Sequence, residues 1–271
     1  MYEPQFIPFP INTSGIKYAI IYDKSYHTPD DPTLDPSHVH SGYEFYLNLS
    51  GDVSFLVNNK YFPVSKGDFI VIKPNDLHIC VYNSSCIHEH FCLWIECEED
   101  SQLLNFDHDE FNNKFTFTEK NKNKLIDILF SLYKSKNPVE QSIMLLSFFA
   151  IFSSERNIDQ NNQDSILPSD MQQILDYIDT KFSQIRNIKD ISNKFFISSA
   201  TLNRWFKKYL QISPREFLEA KKLAYAKKLL CDGMSVNNVC IKTGFSDCSY
   251  FIAVFKKKFG DTPLKFHIKN S

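Results

Sequence analysis

The sequence predicts an α+β protein of more than one domain: an antiparallel β-barrel, helices that follow it, and a C-terminal all-α domain. Three observations carry this. Residues 15–97 alternate short β-branched and aromatic runs with turn signals. Residues 119–155 change to a helical period. From Ser169 onward the chain is helical almost throughout and contains a repeated helix pair. With 271 residues, 43% hydrophobic and 15% aromatic, there is enough apolar matter for two cores. Glycine is scarce, at 7, and neither G-x-G-x-x-G nor G-x-x-x-x-G-K occurs, which argues against a glycine-rich phosphate loop.

The strands come first. "YEFYLNLSG", "VSFLVNNKYFPVSKGDFIVIKP" and "HEHFCLWIEC" are separated by "SGD", "NNK", "SKGD" and "KPND". "FLVNNKYFPV" reads as a hairpin with Asn58-Asn59 at its tip. Strands this short and regularly spaced predict a small antiparallel barrel or sandwich within residues 1–118.

Helices follow over 119–155. Leu125, Ile128, Leu129 and Leu132 form a stripe, and the segment after Pro138 is apolar around much of its circumference. Such a helix must be covered, by the barrel or by a second chain. The polar stretch 156–168 is the expected linker.

Within 169–271, "SDMQQILDYIDTKF" is expected to open with a capping residue. Ser213, Pro214 and Glu216 predict a capping box, and Asp232-Gly233 a stop. Residues 188–217 and 236–266 are an imperfect repeat. Leu202, Phe206, Leu210, Pro214 and Phe217 match Phe251, Phe255, Phe259, Pro263 and Phe266, and Lys207-Lys208 match Lys256-Lys257. Each unit reads as a short helix, a tight turn and a longer helix, about 188–210 and 236–259, with Gly244 in the second turn. The charge is as uneven as the fold. Residues 1–164 hold 12 basic and 23 acidic groups, whereas residues 165–271 hold 18 and 9. Only the C-terminal half is suited to a polyanion.

A short helix, turn and basic second helix suit the major groove of double-stranded DNA, with N-terminal residues on base edges and lysines on phosphates. Base contacts are expected from Ser199, Ala200, Thr201, Asn203 and Arg204 in the first unit, and from Cys248, Ser249, Ile252 and Ala253 in the second. Phosphate contacts fall to Lys207, Lys208, Lys256 and Lys257. "GFSDCSYFIAVFKKKFGDTPLKF" (244–266), together with "ISSATLNRWFKKYLQISPREFL", resembles the signature of AraC/XylS-type transcriptional regulators over about the last 100 residues. The resemblance implies two helix-turn-helix units on one face of a DNA site. This chain departs from the pattern at Ile252-Ala253, where the family usually has Ser-Arg, and at Cys248, where Pro is frequent. Asn203 and Arg204 are therefore expected to carry more of the base discrimination.

In the N-terminal half, His38, His40 and Glu44 with the later His78 resemble the metal pattern of cupins. The alternative function this opens is a metal-dependent cupin enzyme fused to a helical nucleic-acid-binding domain. The regulator family carries a similar cupin-like barrel whose residues shape a small-molecule pocket, and the usual glycine between proline and histidine is missing here. The expectation is thus no metal, no cofactor and no catalysis. An effector pocket is expected at His40, Tyr43, Glu44, Tyr46, His78 and Trp94, with His88 and His90 as ordinary strand residues. The resemblance makes 119–155 a dimerisation region, with Ile143, Leu146, Phe149 and Ile151 packing across a two-fold. The whole reads as an effector-controlled activator, a homodimer that meets RNA polymerase. It shows no signal peptide and no membrane span, so the cytoplasm is the expected location. The seven cysteines have no paired spacing, and reduced thiols are expected.

Overall fold

The computed structural model describes residues 7–8, 16–29, 37–96, 113–154 and 167–270. The expected linker falls mostly outside the described residues. Ten strands precede nine helices among those described. They are β1 (Ile7–Pro8), β2 (Lys17–His27), β3 (Ser37–His38), β4 (Tyr43–Ser50), β5 (Val53–Val57), β6 (Lys60–Val64), β7 (Phe69–Ile72), β8 (His78–Tyr82), β9 (Cys86–Glu96) and β10 (Lys114–Phe115). All pairings are antiparallel. One sheet has the order β1-β2-β9-β4-β7-β10 and the other β3-β8-β5-β6. The hairpin at Asn58-Asn59 joins β5 to β6, with Asn58 at a φ of 55°.

Neither sheet has a bare face over its central strands. On the larger sheet, Phe45, Leu47, Phe69, Val71, Phe91 and Leu93 pack against α1 (Glu119–Lys134) and α2 (Pro138–Ser154), through Leu125, Leu129, Phe148 and Phe152. The opposite face carries Tyr46, Ile70, Ile72 and Cys92, which meet Val53, Phe55 and Val57 of the smaller sheet. The smaller sheet turns Leu56, Ile79 and Val81 outward, and with Leu77 they join the core of the C-terminal helices. One-residue alternation sorts side chains to the two faces, and both faces are apolar because both are covered.

The C-terminal helices are α3 (Ser169–Lys181), α4 (Ile188–Lys194), α5 (Ser199–Leu210), α6 (Pro214–Cys231), α7 (Val236–Thr243), α8 (Cys248–Phe259) and α9 (Pro263–Asn270). The capping box forms at Ser213 and Glu216. The start of α3 differs from expectation: Pro168 stands at the N-cap, and no side chain caps the helix. Helix α6 serves two cores. Phe217, Leu218, Ala220 and Ala224 pack with Leu202 and Phe206 of α5, while Leu223, Ala226, Leu229 and Leu230 pack with Phe251 and Phe255 of α8. Of the apolar residues matched by the repeat, Leu202, Phe206 and Leu210 are buried in the first unit and Phe251 and Phe255 in the second, where Phe259 and Phe266 are half-buried.

Candidate nucleic-acid interface and ligand site

The two second helices start in the same way. Ser198 accepts from the Thr201 N–H at 3.0 Å, and Asp247 accepts from the N–H groups of Ser249 (2.7 Å) and Tyr250 (3.3 Å). These caps satisfy free N–H groups and leave the following residues on the outside. Ala200, Asn203 and Arg204 are exposed on α5, as are Ser249, Ile252 and Ala253 on α8. Thr201 is half-buried and its hydroxyl is 2.9 Å from that of Ser198. The Asn203 amide donates to Ser199 O at 2.9 Å, so it must turn outward to reach a base. Lys207, Lys208, Lys256 and Lys257 are exposed toward the C-terminal ends.

Cys248 corrects two expectations. In the structure its sulfur is bonded to that of Cys240 on α7, so the pair stands oxidised here and the side chain is turned to α7 and not toward a base. The two residues lie 8 apart, a separation that only the folded turn brings together. Gly244 at this turn has a φ of 74°, and a Cβ there would overlap the Ser183 main chain. The corresponding place in the first unit is held by Phe196, at a φ of 53° and 97% exposed. Sequence reasoning also missed Lys222, which donates to Ile185 O (2.9 Å) and Gly244 O (2.8 Å) and ties the second turn to the α3–α4 connection. Burial pushes its pKa down.

Inside the barrel, His40 Nε2 lies 2.8 Å and His78 Nε2 3.3 Å from Glu44 Oε2. Each ring is held from behind, with Nδ1 facing Gly42 O (2.8 Å) for His40 and Asp76 O (3.2 Å) for His78. Burial alone would raise the Glu44 pKa. The hydrogen bonds from both histidines outweigh that and hold the carboxyl well below its ordinary value. Ligand atoms of His40, Glu44 and His78 lie within 4.8 Å of one another, and the His38 ring stacks on His78 at 5.5 Å.

Tyr46 and Trp94 share this interior, but Tyr43 does not. As the neighbour of Glu44 on the strand it points the other way, against the helix-covered face, which corrects its assignment to the pocket. His90, expected to be an ordinary strand residue, stacks on Tyr46 at 4.9 Å. The Tyr46 hydroxyl and His90 Nδ1 are buried and without a hydrogen-bond partner. Unpaired buried polar atoms are costly and call for an explanation, and a ligand that engages them supplies one. His90 has the same strand parity as Trp94, so the signal was present in the sequence.

The dimer residues also divide. Ile143 is 57% and Leu146 41% exposed, whereas Phe149 is 5% exposed and packs on Phe45, and Ile151 is half-buried against the same core. Phe149 is a core residue of its own chain. Val139, Ile143, Leu146 and Ala150 form the exposed stripe of α2.

Two family models match the chain, an AraC-like ligand binding domain over residues 24–104 and a helix-turn-helix domain over residues 191–267. The HTH-type transcriptional regulator YdeC of Bacillus subtilis (strain 168) is 23% identical over 256 residues, covering 87% of each chain. The regulatory protein PocR of Salmonella typhimurium is 30% identical over 99 residues, 36% of this chain but only 33% of PocR. The transcriptional activator RhaS of Yersinia pestis is 27% identical over 92 residues, 34% of each. These shorter matches fall short of the relatives' full length. Among the described residues, no helix is long and apolar enough to cross a membrane. The matched ligand-binding and helix-turn-helix segments, with two capped and exposed second helices on a basic domain, identify the chain as an AraC-type DNA-binding transcriptional regulator with an N-terminal ligand-binding domain.

Proposed function

We propose that this regulator is a cytoplasmic, homodimeric activator whose barrel effector adjusts the two reading helices through one shared sheet. Residues 1–118 sense, 119–155 dimerise, 156–168 link and 169–271 read DNA. One observation carries the proposal. The small sheet β3-β8-β5-β6 grips both reading units near the C-terminal ends of their second helices. Gln211, the C-cap of α5, exchanges hydrogen bonds with the Tyr82 main chain of β8, and Lys258 of α8 donates to Ser37 of β3. The inner face of β8 carries His78 and Cys80. A ligand held between His78 on β8 and Glu44, Tyr46 and His90 of the larger sheet thus acts from inside on the strand that holds Gln211 outside. It shifts a population only by binding one arrangement better than the other. No catalytic step is assigned, and RNA polymerase is the partner expected of an activator.

The test is selection from random duplexes by the full-length protein, followed by reselection with candidate small molecules present. The expected result is a two-part site, its halves about one helical turn or roughly 34 Å apart, whose affinity changes with one effector class. A protein that enriches nothing with or without effector defeats the proposal.

A second reading, a metal-dependent cupin enzyme joined to a nucleic-acid-binding domain, draws support from the geometry at His40, Glu44 and His78. Metal-bound histidines commonly anchor their second nitrogen on a carbonyl, as both rings do here. Stoichiometric Fe, Mn or Zn in purified protein, lost in His78→Ala, would favour it.

A further inference from the structure

Cys240 and Cys248 are unequal partners. Cys240 is 1% exposed in the core of the second unit. Cys248 is exposed and is the first residue of α8, where an oxidant in solution reaches its sulfur. Their Cα atoms are 5.8 Å apart, so a bridge forms without moving the backbone. The other described thiols are placed differently. Cys80 and Cys92 lie inside the barrel, where burial raises their pKa, Cys86 is half-buried with its sulfur 3.4 Å from His88 Nε2, and Cys231 is exposed and unbonded.

We propose that Cys248 and Cys240 are a peroxide-oxidised modification site that locks the second helix-turn-helix unit in its reading geometry. A DNA-binding protein works where thiol pools keep cysteines reduced, and disulfides there are transient. The resting form is the dithiol. The Cys248 thiolate attacks one oxygen of hydrogen peroxide and the O–O bond breaks. With one proton taken up, the products are Cys248 sulfenic acid and water. The Cys240 sulfur then attacks Cys248, the S–S bond forms and the S–O bond breaks. The departing hydroxide takes the Cys240 proton as a second water. Two thiols and one peroxide become one disulfide and two waters, the sulfurs losing the two electrons that the peroxide gains. A small thiol or a dithiol protein reverses the change.

The bond spans the turn between α7 and α8, which is also held by packing of Phe251 and Phe255 in the core with Val239 and by Lys222 on Gly244 O. It fixes the end of α8 that carries Ser249, so freedom otherwise lost on binding DNA is already gone and affinity rises. Reduced full-length protein would be treated with hydrogen peroxide, capped with an alkylating reagent and mapped by peptide mass spectrometry. The 240–248 bridge is expected while Cys231 is still alkylated, and C240S should trap a dimedone-reactive sulfenic acid on Cys248. On a duplex selected by the reduced protein, the oxidised form should bind about threefold tighter or better. C248S, and C248A where serine disturbs the fold, should abolish that difference. The peptide result needs no DNA and so stands apart from the regulatory reading. Oxidation of Cys231 first, with 240 and 248 left as thiols, overturns the proposal. So does a bridge that leaves affinity unchanged or lowers it.

Discussion

Lys258 Nζ lies 2.7 Å from the main-chain oxygen of Ser37, which fastens the second reading helix to the strand that also carries His38. The same ammonium reaches the Ser37 hydroxyl at 3.0 Å. Hydrogen bonds from a charged donor contribute about 1.5–3 kcal/mol, enough to bias the spacing of two helices. Lys258→Met keeps the aliphatic stem and removes the donor. Hydrogen exchange at residues 37–38 should rise, and selection should tolerate altered spacing between half-sites while each half-site keeps its own sequence.

Glu44 makes the barrel acid-sensitive. Its folded pKa lies well below the ordinary glutamate value, so its contribution to stability is present above that value and is lost as the pH falls through the folded pKa. Urea midpoints measured from pH 7 downward should fall faster in wild type than in Glu44→Gln. At pH 7 the variant should be the less stable of the two, because both histidines lose a charged acceptor.

The two turns call for opposite substitutions. Gly244→Ala places a Cβ against the Ser183 main chain at a positive φ and should cost more than about 1 kcal/mol. Phe196→Gly removes an exposed side chain from the same backbone region and should gain up to about 1 kcal/mol. Thermal unfolding of the three proteins decides both.

Base reading is expected to be lopsided. Arg204→Ala should relax specificity at one position, by about 1–3 kcal/mol, with little change in salt slope. Ala253→Arg should add a preference in the other half-site, because that position is exposed on α8. Sequencing of selected duplexes reads out both variants.

Assembly is expected to depend on the outer stripe of α2. Leu146→Glu puts charge among exposed apolar groups and should shift the protein to monomer in sedimentation, without loss of secondary structure. Phe149→Ala should act instead on folding, costing about 3–5 kcal/mol as a buried phenylalanine does.

The second helices were readable from sequence because their signals are local. The i, i+4 apolar residues of the repeat act within a few positions of one another. The barrel interior was half readable. Parity put Glu44, Tyr46 and Trp94 together, and the same rule, applied strictly, excludes Tyr43 and includes His90. What stayed hidden depends on contacts between distant segments. Nothing near Ile79 or Val81 announces the helices that cover them. The Cys240–Cys248 bond needs the turn to close, and the partners of Lys222 lie 37 and 22 residues away.

The apolar outer face of the small sheet has a practical consequence for anyone building biosensors from this chain. Joining this reading domain to a foreign barrel at the linker would leave Leu56, Leu77, Ile79 and Val81 without their counterpart, each burial being worth about 1.5–3 kcal/mol. A working chimera must graft that surface along with the pocket, so the exchangeable module ends on a sheet face and not at a point in the chain.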